Sequence, residues 1–192
     1  VEVIHPQRGD KARLIEMAQK NAENVYLMSR NHDDDFTRTL NALKETLSLR
    51  QTPERIECFD ISNIFGKQAV GSMVTFTQGK PDKSRYKRFR IKTVGQIDDY
   101  AMMHEVLTRR YKRAVEEGDL PKLIMVDGGK GQLGIALKVF DELAIGNVDL
   151  IALAKGSKES NRVGEKIGEQ IFVPHMPDAV MLTPSSPELL FL

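Results

Sequence analysis

Ile56-Glu57-Cys58-Phe59-Asp60-Ile61-Ser62 is the stretch from which the fold is read. Apolar and β-favouring residues run into a carboxylate, and Asn63 and Gly66 end the run. This pattern predicts a buried central strand that delivers Asp60 to a working end. Leu123-Ile124-Met125-Val126-Asp127, closed by Gly128-Gly129, has the same grammar. A bare carboxylate in an apolar setting costs several kcal/mol unless it is paired or bound to a metal. Two buried strands that each finish on Asp therefore point to a metal site built from strand ends.

Working outward, Ala69 to Thr77 and Arg85 to Thr93 read as two further strands, joined by a turn through Gln78-Gly79 and Pro81-Asp82. With the first strand they form an antiparallel meander. Asp98-Asp99 starts a helix that runs to Glu117, with Tyr100, Met103, Leu107, Tyr111 and Ala114 on a buried face and Gly118 closing it. A helix from Gly131 to about Ala144 turns Leu133, Ala136, Leu137 and Phe140 inward, and Val148 to Ala154 is a fifth, central strand. Lys166 to Val173 suggests a small hairpin. The expected fold is α/β: a mixed five-stranded sheet with helices on both faces. It occupies residues 53–192 and follows a helical lead-in over residues 1–52. In that lead-in, one helix carries Leu14, Ile15, Ala18, Ala22 and Val25, and a second carries Leu40, Leu43 and Leu47. Asn31-His32-Asp33-Asp34-Asp35 looks like a ligand cluster but precedes a helix start, where acidic residues compensate the dipole.

The chain has 192 residues, 41% hydrophobic and 29% charged, with a net charge of +1. No apolar stretch approaches ~18 residues, which excludes a transmembrane helix, and the near-neutral net charge leaves any nucleic-acid signal to local charge distribution. A single cysteine, Cys58, forbids a disulfide framework and fits a cytoplasmic protein. The chain begins without Met and reads as an excised fragment. Ser185-Ser186-Pro187-Glu188 announces a terminal helix that the end at Leu192 truncates.

Three constellations carry chemistry. Asp60 and Asp127 end adjacent strands in this topology, and Asp99 sits on the first turn of the intervening helix. Such carboxylates suit a hard divalent ion. The plainer readings are that Asp99 only compensates the helix dipole and that Asp127 only forms a turn. Second, Asp127-Gly128-Gly129-Lys130-Gly131-Gln132 lacks the spacing of a nucleotide-binding glycine loop. Its glycines, Lys130 and a helix N-terminus can still seat one backbone phosphate. Third, seven of the thirteen residues from Lys80 to Lys92 are Lys or Arg, with Tyr86 and Phe89 interleaved. Arg85, Lys87, Arg88 and Arg90 of this stripe, with Lys130 and Lys155, are the expected nucleic-acid contacts. The competing reading is an edge strand using charge against aggregation. Cys58 is expected to be core and His104 surface; His5, His32 and His175 have no partner at ligand spacing.

Glu57-Cys58-Phe59-Asp60-Ile61-Ser62, Asp98-Asp99-Tyr100 followed by Arg109-Arg110-Tyr111, and Val126-Asp127-Gly128-Gly129-Lys130-Gly131-Gln132-Leu133 closely resemble the UvrC family of bacterial nucleotide excision repair. The resemblance is dense from Pro53 onward and extends into the lead-in. It implies an RNase H-like fold and hydrolysis of a phosphodiester 5′ to a lesion in double-stranded DNA, after UvrA and UvrB have marked it. By the same resemblance, Asp60, Asp99 and Asp127 match catalytic aspartates holding Mg²⁺ or Mn²⁺. The family's further catalytic histidine would follow the Ser-Pro-Glu-Leu run, past Leu192. The UvrB-binding segment, the tandem helix-hairpin-helix module and the N-terminal nuclease are expected elsewhere in a longer protein. The alternative reading is that a chain of this extent binds metal and DNA with little or no cutting. An RNase H-like resolvase or RNase shares the site logic and differs in motif identity.

Overall fold

The computed structural model describes residues 36–64, 68–92, 98–155 and 169–182. Contacts divide the chain into two units, Val1–Arg38 and Thr39–Leu192, and the sheet belongs to the second. Strand β1 (Arg55–Ile64) pairs antiparallel with β2 (Gln68–Thr77), which in turn pairs antiparallel with β3 (Lys80–Pro81) and with β4 (Lys87–Arg90). On its other side β1 pairs in parallel with β5 (Leu123–Asp127), and β5 in parallel with β6 (Asp149–Lys155). Two short antiparallel strands, β7 (Glu169–Phe172) and β8 (Val180–Leu182), complete the edge. The result is a mixed sheet of eight strands among the described residues.

The expected meander and the two parallel strands after it are present. Residues 166–168 of the expected hairpin over Lys166–Val173 lie outside the described residues; Glu169–Phe172 forms β7, which pairs with β6 and β8 and buries Ile171 in the apolar core beneath them. A 3₁₀ turn at Lys83–Arg85 delays the fourth strand to Lys87.

Two helices fill one face of the sheet. Helix α2 (Asp99–Glu117) buries Met103, Val106, Leu107, Tyr111 and Ala114, and α3 (Lys130–Glu142) buries Leu133, Ala136, Val139 and Phe140. These pack with Phe59, Met73, Phe89, Ile124 and Val126 in one core cluster. Gly71 marks the closest approach: a Cβ there would lie 2.6 Å from Val106 Cγ2, so α2 sits almost on the backbone of β2. The other face holds Ile56, Leu123, Met125, Ile151 and Ile171 against Leu40, Leu43 and Leu47, the last three on or just past the helix α1 spanning residues 36–46. The helical spacing of those leucines thus buries them on the sheet.

Tyr100 departs from the expected buried face of α2. It is 49% exposed, with its ring beside the backbone of Gly131 at the start of α3. His104 is half-buried instead of superficial and joins α2 to α3 through Glu142 Oε2 at 3.0 Å. No helix among the described residues is long and apolar enough to cross a membrane. The first lead-in helix, Asn31–Asp35 and the terminal helix lie outside the described residues, as do the side chain of Lys155 and the segment after it.

Candidate active site

The parallel ladder between β1 and β5 ends at Phe59↔Val126. Asp60 and Asp127 are the next residue on each strand, so they stand side by side where the ladder stops, on strands roughly 4.8 Å apart. Alternation fixes their common face. Phe59 and Val126 lie in the α2–α3 core, whereas Met125 lies in the opposite core and Cys58 packs against it. Asp60 and Asp127 therefore both point away from α2 and α3. Both are exposed.

The register extends this row across the meander. Asp60 is opposite Ser72 on β2, and Ser72 is opposite Arg88 on β4. Directly opposed residues in antiparallel strands share a face. Arg88 and, two residues on, Arg90 thus lie on the carboxylate face, while Phe89 is buried under α2. Lys87, opposite Met73, shares the helix face with Phe89. Arg85 is committed elsewhere: its Nη1 reaches both Asp119 oxygens at 3.1 and 3.2 Å. The basic stripe is one run in sequence and three environments in space.

The turn after Asp127 is built from glycines for steric reasons. Gly128 has φ +138°, and a Cβ there would meet Gln132 Cδ at 2.5 Å. Gln132 needs that space, since its Oε1 accepts a hydrogen bond from Gly129 N at 3.1 Å and caps α3. Lys130 donates to Pro177 O at 3.1 Å, and its Nζ stands 5.7 Å from the centroid of the Phe172 ring.

Asp98 and Asp99 divide their duties. Asp98 is the N-cap of α2, accepting from Ala101 N at 3.0 Å. Asp99 is in the first turn and lines a cleft of about 1670 Å³ with Tyr100, His104, Arg109, Gln132 and Lys138. Asp60 and Asp127 do not line that cleft. Among the described residues, no three His, Cys, Asp or Glu side chains stand close enough together to hold an ion. The structure thus pairs Asp60 with Asp127 and leaves Asp99 at the start of the neighbouring helix. The donor set of the pair is all carboxylate oxygen, which fits Mg²⁺ or Mn²⁺. Such ions keep several waters and need only one or two protein carboxylates.

Behind the site lies a charged cluster that sequence reasoning missed. Glu57 and Arg110 have side chains 0% and 2% exposed. Arg110 Nη2 and Nε donate to Glu57 Oε1 and Oε2 at 2.6 and 3.1 Å, and the Tyr111 hydroxyl donates to Glu57 Oε2 at 2.9 Å. Asp119 extends the cluster to Arg55 at 2.7 Å and to Arg110 at 3.3 Å. Burial lowers the proton affinity of Arg110, but the hydrogen bond and charge of Glu57 outweigh it and leave the guanidinium above its ordinary value. Burial, then the Glu57 carboxylate, pushes the Tyr111 phenol well up. Burial also pulls Asp119 up, and the hydrogen bond and charge of Arg55 with the charge of Arg85 overcome it, holding the carboxyl below its usual range. Cys58 is pushed up to about 12 by burial and then by Glu57, which makes it an inert thiol, as its apolar run suggested. The signal for the cluster was the presence of Glu57 inside an apolar strand and Arg110-Tyr111 inside a buried helical face. Each is improbable alone and satisfied by the other.

A family described as the UvrC RNAse H endonuclease domain matches residues 44–192. The chain is 49% identical over 187 residues to UvrABC system protein C of Protochlamydia amoebophila, which covers 97% of this chain and 30% of that protein. It is 44% identical to the protein of the same name from Desulfotalea psychrophila, over 100% of this chain and 31% of the relative. It thus spans about 30% of the length of the curated relatives it matches. Among solved structures, Ciona intestinalis endonuclease V in complex with inosine-containing DNA aligns with TM-score 0.43 and 13% identity, covering 78% of this chain and 82% of that one. The catalytic domain of human endonuclease V aligns with TM-score 0.43 and 13% identity, over 77% and 79%.

Proposed function

The chain belongs to the UvrC RNase H endonuclease domain family of nucleotide excision repair, and from that premise we propose that it makes the 5′ incision beside a DNA lesion by metal-dependent hydrolysis of a phosphodiester. The reading is carried by one observation. Asp60 and Asp127 end adjacent parallel strands in register, on one exposed face, with Arg88 in the same row.

In this reading Asp60 and Asp127 hold Mg²⁺ or Mn²⁺, and Asp99 joins them from the start of α2. The bound ion supplies Lewis-acid polarisation of the phosphate and lowers the pKa of a coordinated water. Arg88 and Arg90 bind backbone phosphates on the carboxylate face, and Lys130 with the α3 N-terminus takes a neighbouring one. Arg85, Lys87 and Lys155 add to the electrostatic attraction for the duplex. Residues 53–192 form the nuclease domain, working in the cytoplasm after UvrA and UvrB have located the damage. UvrB contacts a part of the full protein outside this chain.

The test is incision of a lesion-bearing duplex by the full-length protein carrying Asp60→Asn, with UvrA, UvrB and Mg²⁺. Loss even of outer-shell partners costs 10–100-fold at a metal site, so loss of a ligand should lower the 5′ incision rate by more than about 100-fold. Wild-type 5′ incision by that variant contradicts the proposal. A second reading, that this chain alone binds metal and DNA but cuts little, is favoured by the separation of Asp99 from the Asp60–Asp127 pair. Efficient cleavage of bubbled DNA by residues 1–192 with Mn²⁺ would exclude it.

A further inference from the structure

Tyr100 follows Asp99 in the first turn of α2, and it is a large aromatic side chain left 49% exposed. Its ring is not idle. A Cβ added to Gly131 would lie 2.5 Å from the Tyr100 hydroxyl oxygen, 2.8 Å from Cε1 and 2.9 Å from Cζ. The edge of the phenol therefore rests against the backbone of Gly131, in the first turn of α3, four residues after Asp127. No hydrogen bond holds the hydroxyl among the described residues, so the contact is one of shape. Glycine inside a helix is destabilising by roughly 1 kcal/mol relative to Ala. Gly131 has an ordinary negative φ, and the Tyr100 ring supplies the reason for the missing methyl.

We infer that Tyr100 is a positioning residue: its ring, seated on Gly131, locks the Asp99-bearing first turn of α2 to the first turn of α3, which follows Asp127 by way of the glycine turn. The inference rests on the proposed cooperation of Asp99 with the Asp60–Asp127 pair. Asp99 stands at the head of a 19-residue helix whose buried anchors begin at Met102. The Tyr100–Gly131 contact ties that head to the start of α3, ahead of the His104–Glu142 contact further along the two helices. Misplacement of a reacting group by about 1 Å costs on the order of 100-fold in rate.

The experiment measures single-turnover 5′ incision at saturating DNA, DNA affinity and melting temperature for the full-length protein with UvrA and UvrB. The variants are Tyr100→Ala, Tyr100→Phe, Gly131→Ala and Tyr100→Ala with Gly131→Ala. Tyr100→Ala and Gly131→Ala should each lower the saturated rate by about 10- to 100-fold, with affinity and melting unchanged. Tyr100→Phe, which keeps the ring, should restore most of the rate lost in Tyr100→Ala. Adding Gly131→Ala to Tyr100→Ala should cost nothing more, because the ring it would strike is gone. Three results overturn the inference: weaker DNA binding with an unchanged saturated rate in Tyr100→Ala, a Tyr100→Phe as slow as Tyr100→Ala, or additive losses in the double variant. Asp99→Asn is run alongside. Full activity of that variant defeats the underlying functional reading, whereas an inactive Asp99→Asn beside a fully active Tyr100→Ala defeats only the positioning role.

Discussion

Replacing Arg110 by Met should be among the most destabilising single changes in this domain. The Arg110 side chain is 2% exposed and gives Glu57 two hydrogen bonds, at 2.6 and 3.1 Å. Its Nη2 also donates to Asp119 O at 3.3 Å. Met fills most of the same volume, so little cavity is created. What remains is the Glu57 carboxylate, 0% exposed, with the Tyr111 hydroxyl as its surviving partner at 2.9 Å. Stranding one member of a buried ion pair costs about 3–5 kcal/mol. Against a total stability of roughly 5–15 kcal/mol, that is a large share. At 2–4 °C per kcal/mol for a domain of this size, the melting temperature should fall by roughly 6–20 °C. With a urea m-value near 2 kcal/mol/M, the midpoint should drop by about 1.5–2.5 M. Glu57→Leu combined with Arg110→Met removes both charges. It should recover most of the loss, short by about 1 kcal/mol for the orphaned Tyr111 hydroxyl. Urea and thermal unfolding of residues 1–192 followed by circular dichroism compare the wild type with the single and double variants. A single-variant loss below about 1 kcal/mol, or a double variant no better than the single one, refutes the reasoning.

Three further outcomes follow from the same geometry. Because the Asp119 carboxyl is held below its ordinary value of 3.8, its stabilisation is complete above that value and is lost as pH falls through the lower folded value. Asp119→Asn should accordingly flatten the acid limb of a melting-temperature profile without changing its slope near neutrality. Gly128→Ala forces a side chain onto φ +138° and against Gln132, and should cost on the order of 1–3 kcal/mol while disturbing the turn after Asp127; calorimetry checks the first effect and incision rate the second. Arg88→Ala should weaken duplex binding and reduce the salt slope of binding by about 1, whereas Lys87→Ala, on the helix face, should change it less. Equal effects of the two would contradict the assignment of faces.

The elements with local signals were legible in the sequence. The run into Asp60, the run into Asp127 and the cap-to-cap span of α2 all rest on adjacent residues, and Gly118 ends α2 in the left-handed conformation at φ 67°. The parts that were not legible depend on partners far along the chain. Glu57 meets Arg110 across 53 residues and Arg85 meets Asp119 across 34, distances at which neither periodicity nor spacing carries information. The basic stripe shows the same limit. Alternation about Phe89 separates Lys87 from Arg88, but only the β1–β2–β4 register puts Arg88 in the row of Asp60. Helical spacing places Tyr100 on the buried face of α2, but spacing is blind to the bare Gly131 backbone beside which the exposed ring sits.

The central claim is that Asp60 and Asp127 together form the seat of the catalytic ion. A crystal of the domain soaked in Mn²⁺ and recorded at the manganese absorption edge tests it without reference to activity. An anomalous peak is expected within roughly 2–2.5 Å of a carboxylate oxygen from each of the two residues. A peak in the α2–α3 cleft beside Asp99, with none at the end of β1 and β5, would contradict it.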